Sequence, residues 1–441
     1  MSGIDRRSFL LSTGSMLVGA TWAVAAPTAR GEAARFPENF RWGVATAGHQ
    51  IEGNNTASDM WLLEHLSTTA FSEPSGDACN SLELWAQDLD LVRSLGLNSY
   101  RFSLEWARIE PEPGAYSSAM LDHYRRIVEG CRERGLMPVV TFNHFTCPRW
   151  FSAQGGWLAK DAADRFARFC ERATRHLGAH IGYATTLNEP NLTRLLATAH
   201  LPQALRDKDR AMQEAAARAC GTERFVAANT LDVQLAEPLL ATMIAAHRAG
   251  RAAIKNVRPD VPVGVSLAMF DDQAVGEGSE RDQMRAQLYG AWLEVAKGDD
   301  FIGVQNYERA RWDAKGRMPP PEDARRGHMG AEVYPPSLAG AVRYAHAATG
   351  IPVMVTEHGV GTPDDTIRVW LIPEALKELR VAIAEGVPVL GYMHWSLMDN
   401  FEWVFGYGPK FGLCSVDRNT FKRTPKPSAH VLAAIARRSA L

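Results

Sequence analysis

The chain has 441 residues, 46% apolar, 22% charged and 9% aromatic, a balance that excludes disorder over most of its length and allows a large core. Lysine and arginine number 48 against 50 acidic residues, a formal net charge of −2. That leaves no basic field to gather nucleic acid or an anionic membrane surface, so neither is an expected partner.

Residues 1–25 read as an address and 26–441 as one folded domain. Asp5-Arg6-Arg7-Ser8-Phe9-Leu10 sets two arginines directly before an apolar stretch, and Ala23-Val24-Ala25 offers small residues to a signal peptidase. The segment resembles a twin-arginine export signal. A membrane anchor is the alternative, but the stretch is short for a span of about 20 residues. It is also interrupted by Ser12, Thr13, Gly14, Ser15 and Gly19. The expectation is a periplasmic or secreted protein, exported already folded and without lasting membrane association.

Beyond the address, short β-branched runs alternate with segments of helical period. Strands are expected at 40–46, 99–104, 138–143, 184–187, 261–267, 301–306, 352–356 and 389–394. Between them, 81–95 and 162–177 repeat apolar residues at three and four, as in Phe166, Phe169, Cys170, Ala173 and Leu177, which predicts amphipathic helices. Strand then helix, eight times in one chain, predicts an α/β fold, a single (β/α)8 TIM barrel with extended βα loops. A doubly wound open sheet would announce itself with a G-x-G-x-x-G or a Walker loop, and the chain has neither. The stretch 315–328, with Pro319, Pro320 and Pro321, reads as an exposed loop.

The six cysteines, Cys79, Cys131, Cys147, Cys170, Cys220 and Cys414, form no Cys-x-x-Cys pair, so neither a zinc ribbon nor a redox dithiol is expected. An exported chain can oxidise some of them. Six cysteines allow fifteen full pairings, and the spacing does not choose among them.

Residues at the carboxyl ends of barrel strands face the active site, and here those ends are polar. Gln50 and Glu52 follow the first strand, Arg101 lies in the second and Glu105 after it, and Asn143-His144 close the third. Asn188-Glu189-Pro190 end the fourth, Gln305-Asn306-Tyr307 the sixth and Glu357-His358-Gly359 the seventh, and Trp395 follows the eighth. A carboxylate at a buried strand end is costly unless it is paired or used. One such Glu could be a salt-bridged stabiliser, whereas two across one barrel mouth among aromatics are the equipment of glycoside hydrolysis. Clustered carboxylates also bind metals, but His144 and His358 follow different strands and lack ligand-spaced partners, so no metal and no cofactor is expected.

Thr186-Leu187-Asn188-Glu189-Pro190 and Val355-Thr356-Glu357-His358-Gly359 resemble the acid/base and nucleophile motifs of the family 1 glycoside hydrolases, the β-glucosidase type. Further matches run through Phe40 to Thr46, Gln50-Ile51-Glu52-Gly53, Tyr100 to Trp106, Trp395 to Trp403 and Phe411-Gly412-Leu413. The resemblance covers essentially the whole of 26–441. It implies a retaining, exo-acting β-glycosidase acting on a small-molecule β-glycoside, with Glu357 as nucleophile and Glu189 as acid/base. Arg101 and Tyr307 would orient the nucleophile. Gln50, His144, Asn188, Glu402 and Trp403 would bind sugar hydroxyls, with Trp395 as an aromatic floor and Phe411 in the same subsite. The retaining mechanism calls for carboxyl groups about 5 to 5.5 Å apart.

Several positions depart from the family pattern. Gln305 and His358 each stand where Asn is usual, and Phe145-Thr146-Cys147-Pro148 replaces the usual run after His144. Ala331 replaces a Trp that typically forms a platform for the leaving group, which should open that side. The segment 192–229 lacks the usual Gly-Tyr and Pro-Gly turns and reads as helix and polar loop. Glu402 argues against a phosphoglycoside substrate, and Glu189 against a thioglycosidase that has lost its acid. Glucose, galactose and fucose are the expected sugars. A transglycosylase on the same site and a non-catalytic sugar-binding barrel are the alternative readings.

Overall fold

The computed structural model describes residues 35–198, 202–227, 230–328 and 330–441, so the expected export signal lies outside the described residues. Eight strands are β1 Arg41–Ala45, β2 Ser99–Ser103, β3 Met137–Asn143, β4 Tyr183–Asn188, β5 Val263–Ala268, β6 Phe301–Asn306, β7 Val353–His358 and β8 Val389–Trp395. Each pairs in parallel with its neighbours in chain order, and β8 returns to β1 to close the barrel. All eight expected strands are present. The largest change at a functional position is in β7, which runs two residues past the expected stop at Thr356, through Glu357 and His358. The Glu357 side chain is paired with Arg101, and after a register shift beyond Val355 the ladder resumes with Glu357 opposite Gln305.

The helix Ala162–Leu177 buries Phe166, Phe169, Cys170, Ala173 and Leu177, the stripe its sequence period predicts, and packs on the helix Ala236–Val257. Burial of each such phenylalanine contributes roughly 1.5–3 kcal/mol. The helix Ser81–Ser94 likewise matches its expected span. Inside the barrel, Ala45, Val139, Phe301, Met354 and Met393 form a filled centre capped by Trp395. That packing leaves no pore, so chemistry is confined to the mouth. Gly264 permits the close strand approach this closure needs, because a Cβ there would lie 2.2 Å from the Phe301 carbonyl oxygen.

Two small sheets outside the barrel were not legible in the sequence. Asp271–Ala274, Arg309–Asp313 and Gly316–Arg317 form one, and Cys414–Val416 with Arg423–Pro425 the other. Part of the 315–328 stretch is therefore strand, not loop. These pieces are two to five residues long, too short to show alternation. In the segment 192–229 the described residues carry two helices, Leu192–Ala197 and Gln203–Cys220.

Candidate active site

Four strands meet at one ring of hydrogen bonds. Arg101 on β2 donates from Nη1 to Glu357 Oε1 and from Nη2 to Asn188 Oδ1, each at 2.5 Å. Gln305 on β6 donates from Nε2 to the same two oxygens, at 2.9 and 2.7 Å. The Tyr307 hydroxyl donates to the other Glu357 oxygen at 2.7 Å. Arg101 can only donate, which fixes Asn188 with Oδ1 toward the ring and Nδ2 toward His144 Nε2, 3.3 Å away. The strand registers explain the meeting. Glu357 lies opposite Gln305, and Gln305 opposite Ala268, so the polar ends stand at one level.

Glu189 follows β4 with φ at +44°, a left-handed backbone that non-glycine residues rarely adopt and that recurs where side chains are aimed for function. Phe145 and Trp403 at the same mouth share this feature, at +70° and +49°. Burial pushes the Glu189 carboxyl well above the usual carboxylate range, and the charge of Glu357 adds to the rise. Burial also raises Glu357, but Arg101 and the Tyr307 hydroxyl oppose that rise. Glu357 is therefore the carboxyl favoured to ionise and Glu189 the one favoured to keep its proton. Glu402 is pushed up to about 8 by burial and by the charge of Glu357.

The hydroxyl-binding candidates surround this pair. Gln50 donates to Asn400 Oδ1, the Phe401 carbonyl and Glu402 Oε2 at 3.1, 2.6 and 3.3 Å. The His144 ring lies nearly parallel to two indoles, 5.6 Å from the Trp395 ring and 6.4 Å from that of Trp403. Burial and the Arg101 charge hold His144 well below its ordinary range, so it is neutral. Trp395 is buried, and Phe411 is partly exposed with its ring edge-on to Tyr307 at 5.9 Å. Beside Glu189 an apolar cleft is lined by Phe145, Trp157, Thr193, Leu239, Leu240 and Met243.

Some polar strand ends are structural. Glu52 accepts from Arg108 and Tyr124, and Glu105 from Asn55 and the His49 amide. Asn306 binds the Met269 carbonyl and Ser337. His358 turns away from the ring, to the Tyr392 hydroxyl. The residue that sequence reasoning missed is Gln305, noted only as a departure. A signal existed, because Gln305 and Tyr307 are two apart at a strand end, and such residues share a face. Among the described residues no group of three or more His, Cys, Asp or Glu side chains is arranged to hold a metal ion.

Two neighbouring carboxyls whose surroundings drive their proton affinities apart can supply an acid and a nucleophile to one acetal carbon, which is the equipment of a glycoside hydrolase. A profile of Glycosyl hydrolase family 1 matches residues 32–288 and 301–440. A β-glucosidase of an Agrobacterium species is 31% identical, over 92% of this chain and 96% of its own. A crystal structure of a β-glycosidase superposes with a TM-score of 0.85 at 47% identity, covering 92% of this chain and 98% of that one. The apo structure of a β-glucosidase gives 0.87 at 40% identity, covering 91% and 99%. The chain belongs to glycosyl hydrolase family 1, and it is a retaining β-glycosidase.

Proposed function

We propose that this protein removes a terminal β-linked sugar, with Glu357 as nucleophile and Glu189 as acid/base. The observation that carries the assignment is the unequal setting of the two carboxyls: Arg101 and Tyr307 favour the anion at Glu357, while burial and that anion keep Glu189 protonated. In the first step Glu357 forms a bond to the anomeric carbon as the bond to the leaving oxygen breaks, and that oxygen takes the Glu189 proton. The glycosyl ester carries no charge, so the proton affinity of Glu189 falls. In the second step Glu189 takes a proton from water, the water oxygen bonds the anomeric carbon, and Glu357 leaves as carboxylate.

Gln50, His144, Asn188, Glu402 and Trp403 bind the sugar hydroxyls over a floor made by Trp395, with Phe411 at the rim. Their donors and acceptors are the mixture a ring of hydroxyls needs. The β-glucosidase names of the relatives make glucose the first sugar to test, with galactose and fucose next. The sugar preference and the role of Glu357 are tested together by release of nitrophenol from a panel of nitrophenyl β-glycosides, using residues 26–441 and its Glu357→Ala variant. Turnover should fall by at least about a thousandfold in the variant. Equal rates in both proteins would refute the assignment.

On the leaving-group side Ala331 is partly exposed on a loop held by hydrogen bonds from the Gly327 amide to the Ala331 carbonyl and from the His328 amide to Gly361. With no large side chain at 331, this side admits a bulkier leaving group. Ala331→Trp should therefore lower kcat/KM on large aglycones relative to small ones, and an unchanged ratio would count against the idea.

Export through the twin-arginine route completes the reading, supported by Arg6-Arg7 and by six free cysteines, five of them buried, which suit a chain that folds before it leaves a reducing compartment. A reporter fused behind residues 1–25 should reach the periplasm only while Arg6 and Arg7 are intact, and Lys at both positions should retain it in the cytoplasm.

A further inference from the structure

The nucleophile follows an irregular stretch of ladder. The pairing of β7 is irregular on both sides just before Glu357: against β6 the register shifts between Val355 and Glu357, and against β8 between Val355 and His358. Such irregularities re-aim a side chain, and the ladder resumes only at the very end of the strand, with Glu357 opposite Gln305 and His358 opposite Asn306 and His394.

Immediately after this break stands His358, one of the departures from the family pattern. His358 Nδ1 lies 2.9 Å from the Tyr392 hydroxyl, and the same hydroxyl lies 2.9 Å from His394 Nδ1. All three residues are buried. Tyr392 and His394 are two apart on β8, so they share its outer face, opposite Met393 and Trp395, which cap the barrel centre. One hydroxyl proton cannot serve two acceptors, so one imidazole donates to Tyr392 and the other accepts from it. His394 Nε2 has no partner, and giving the Nδ1 proton to His394 avoids burying an unpaired N–H. The chain then runs from His394 through Tyr392 to His358.

We propose that His358, Tyr392 and His394 form a neutral clasp that ties the β7 end to β8 and thereby holds Glu357 at the reach of Arg101 and Tyr307. These are positioning residues, and the proposal rests on Glu357 being the nucleophile. Burial lowers His358 to about 3 and holds His394 well below its ordinary range, with Arg368 and Lys426 adding to the effect at His394. Arg368 comes from the covering helix Asp365–Ala384 and Lys426 from just before the last helix, Pro427–Arg438, and both are cationic. The two imidazoles are therefore uncharged near neutral pH, and the acidic limb of a pH profile reports Glu357, the carboxyl favoured to ionise.

The test is Tyr392→Phe, which removes one oxygen and keeps the ring. A loosened Glu357 loses part of its contact with Arg101, so its carboxyl rises. The expected result is a fall in kcat of tenfold or more with KM within about threefold, and a shift of the acidic limb of kcat/KM to higher pH by roughly half a unit or more. The melting temperature is measured alongside, and His358→Asn serves as a second variant with the same expectation should Tyr392→Phe fold poorly. Activity within twofold of the parent, or a loss that follows melting temperature with the acidic limb unmoved, would overturn the proposal. Failure of the underlying assignment is seen separately, as a Glu357→Ala protein that turns over as fast as the parent, and it would overturn both.

Discussion

Glu189, Glu357 and Glu402 are chemically alike and differ only in company. Glu357 has three side-chain donors, from Arg101, Gln305 and Tyr307, whereas burial and a neighbouring charge act on Glu402 against a single bond from Gln50. The consequence for Glu402 is measurable as stability. Its folded pKa of about 8 lies above the ordinary carboxylate value, so its contribution is fully present below about pH 4 and is lost as pH rises toward 8. Glu402→Gln removes that loss. The difference in melting temperature between variant and parent should move in favour of the variant by a few degrees between pH 5 and pH 9. A constant difference across that range would contradict the raised pKa.

At the scale of elements, the barrel depends on strands approaching closely at glycines. Gly264 on β5 has the Phe301 carbonyl oxygen 2.2 Å from where a Cβ would stand, and that oxygen belongs to backbone that cannot swing aside. Gly264→Ala should therefore destabilise the protein by about 1–3 kcal/mol, seen as a lower melting temperature. An unchanged melting temperature would mean that the β5–β6 contact is looser than described. Most elements were legible from apolar period alone, because strands of five to seven residues and helices such as Ala162–Leu177 repeat their pattern long enough to show it. The small outer sheets were not, since a two-residue strand such as Gly316–Arg317 has no period.

For the whole molecule, five buried cysteines and a partly exposed Cys220 stand without disulfides. A thiol reagent should modify at most Cys220 in the native protein and all six cysteines after unfolding, and a reductant should leave the melting temperature unchanged. Fewer than six thiols on unfolding would reveal a disulfide. Among the described residues no helix is long and apolar enough to cross a membrane.

The order of eight strands and helices, the polar character of the strand ends and the two carboxyl motifs were all determined by the sequence, because each is a property of neighbouring residues. Which of those polar ends act together was decided by tertiary structure. Glu52 and Glu105 look as eligible in the sequence as Glu357, yet their partners are structural. Gln305 is legible in the sequence only as a polar departure from the family pattern, yet it binds both Glu357 and Asn188, which lie 52 and 117 residues away. Arg101 reaches Glu357 across 256 residues. Barrel closure and strand register bring such groups within 3 Å, and that closeness sets their charge, whereas local sequence fixes only what they are.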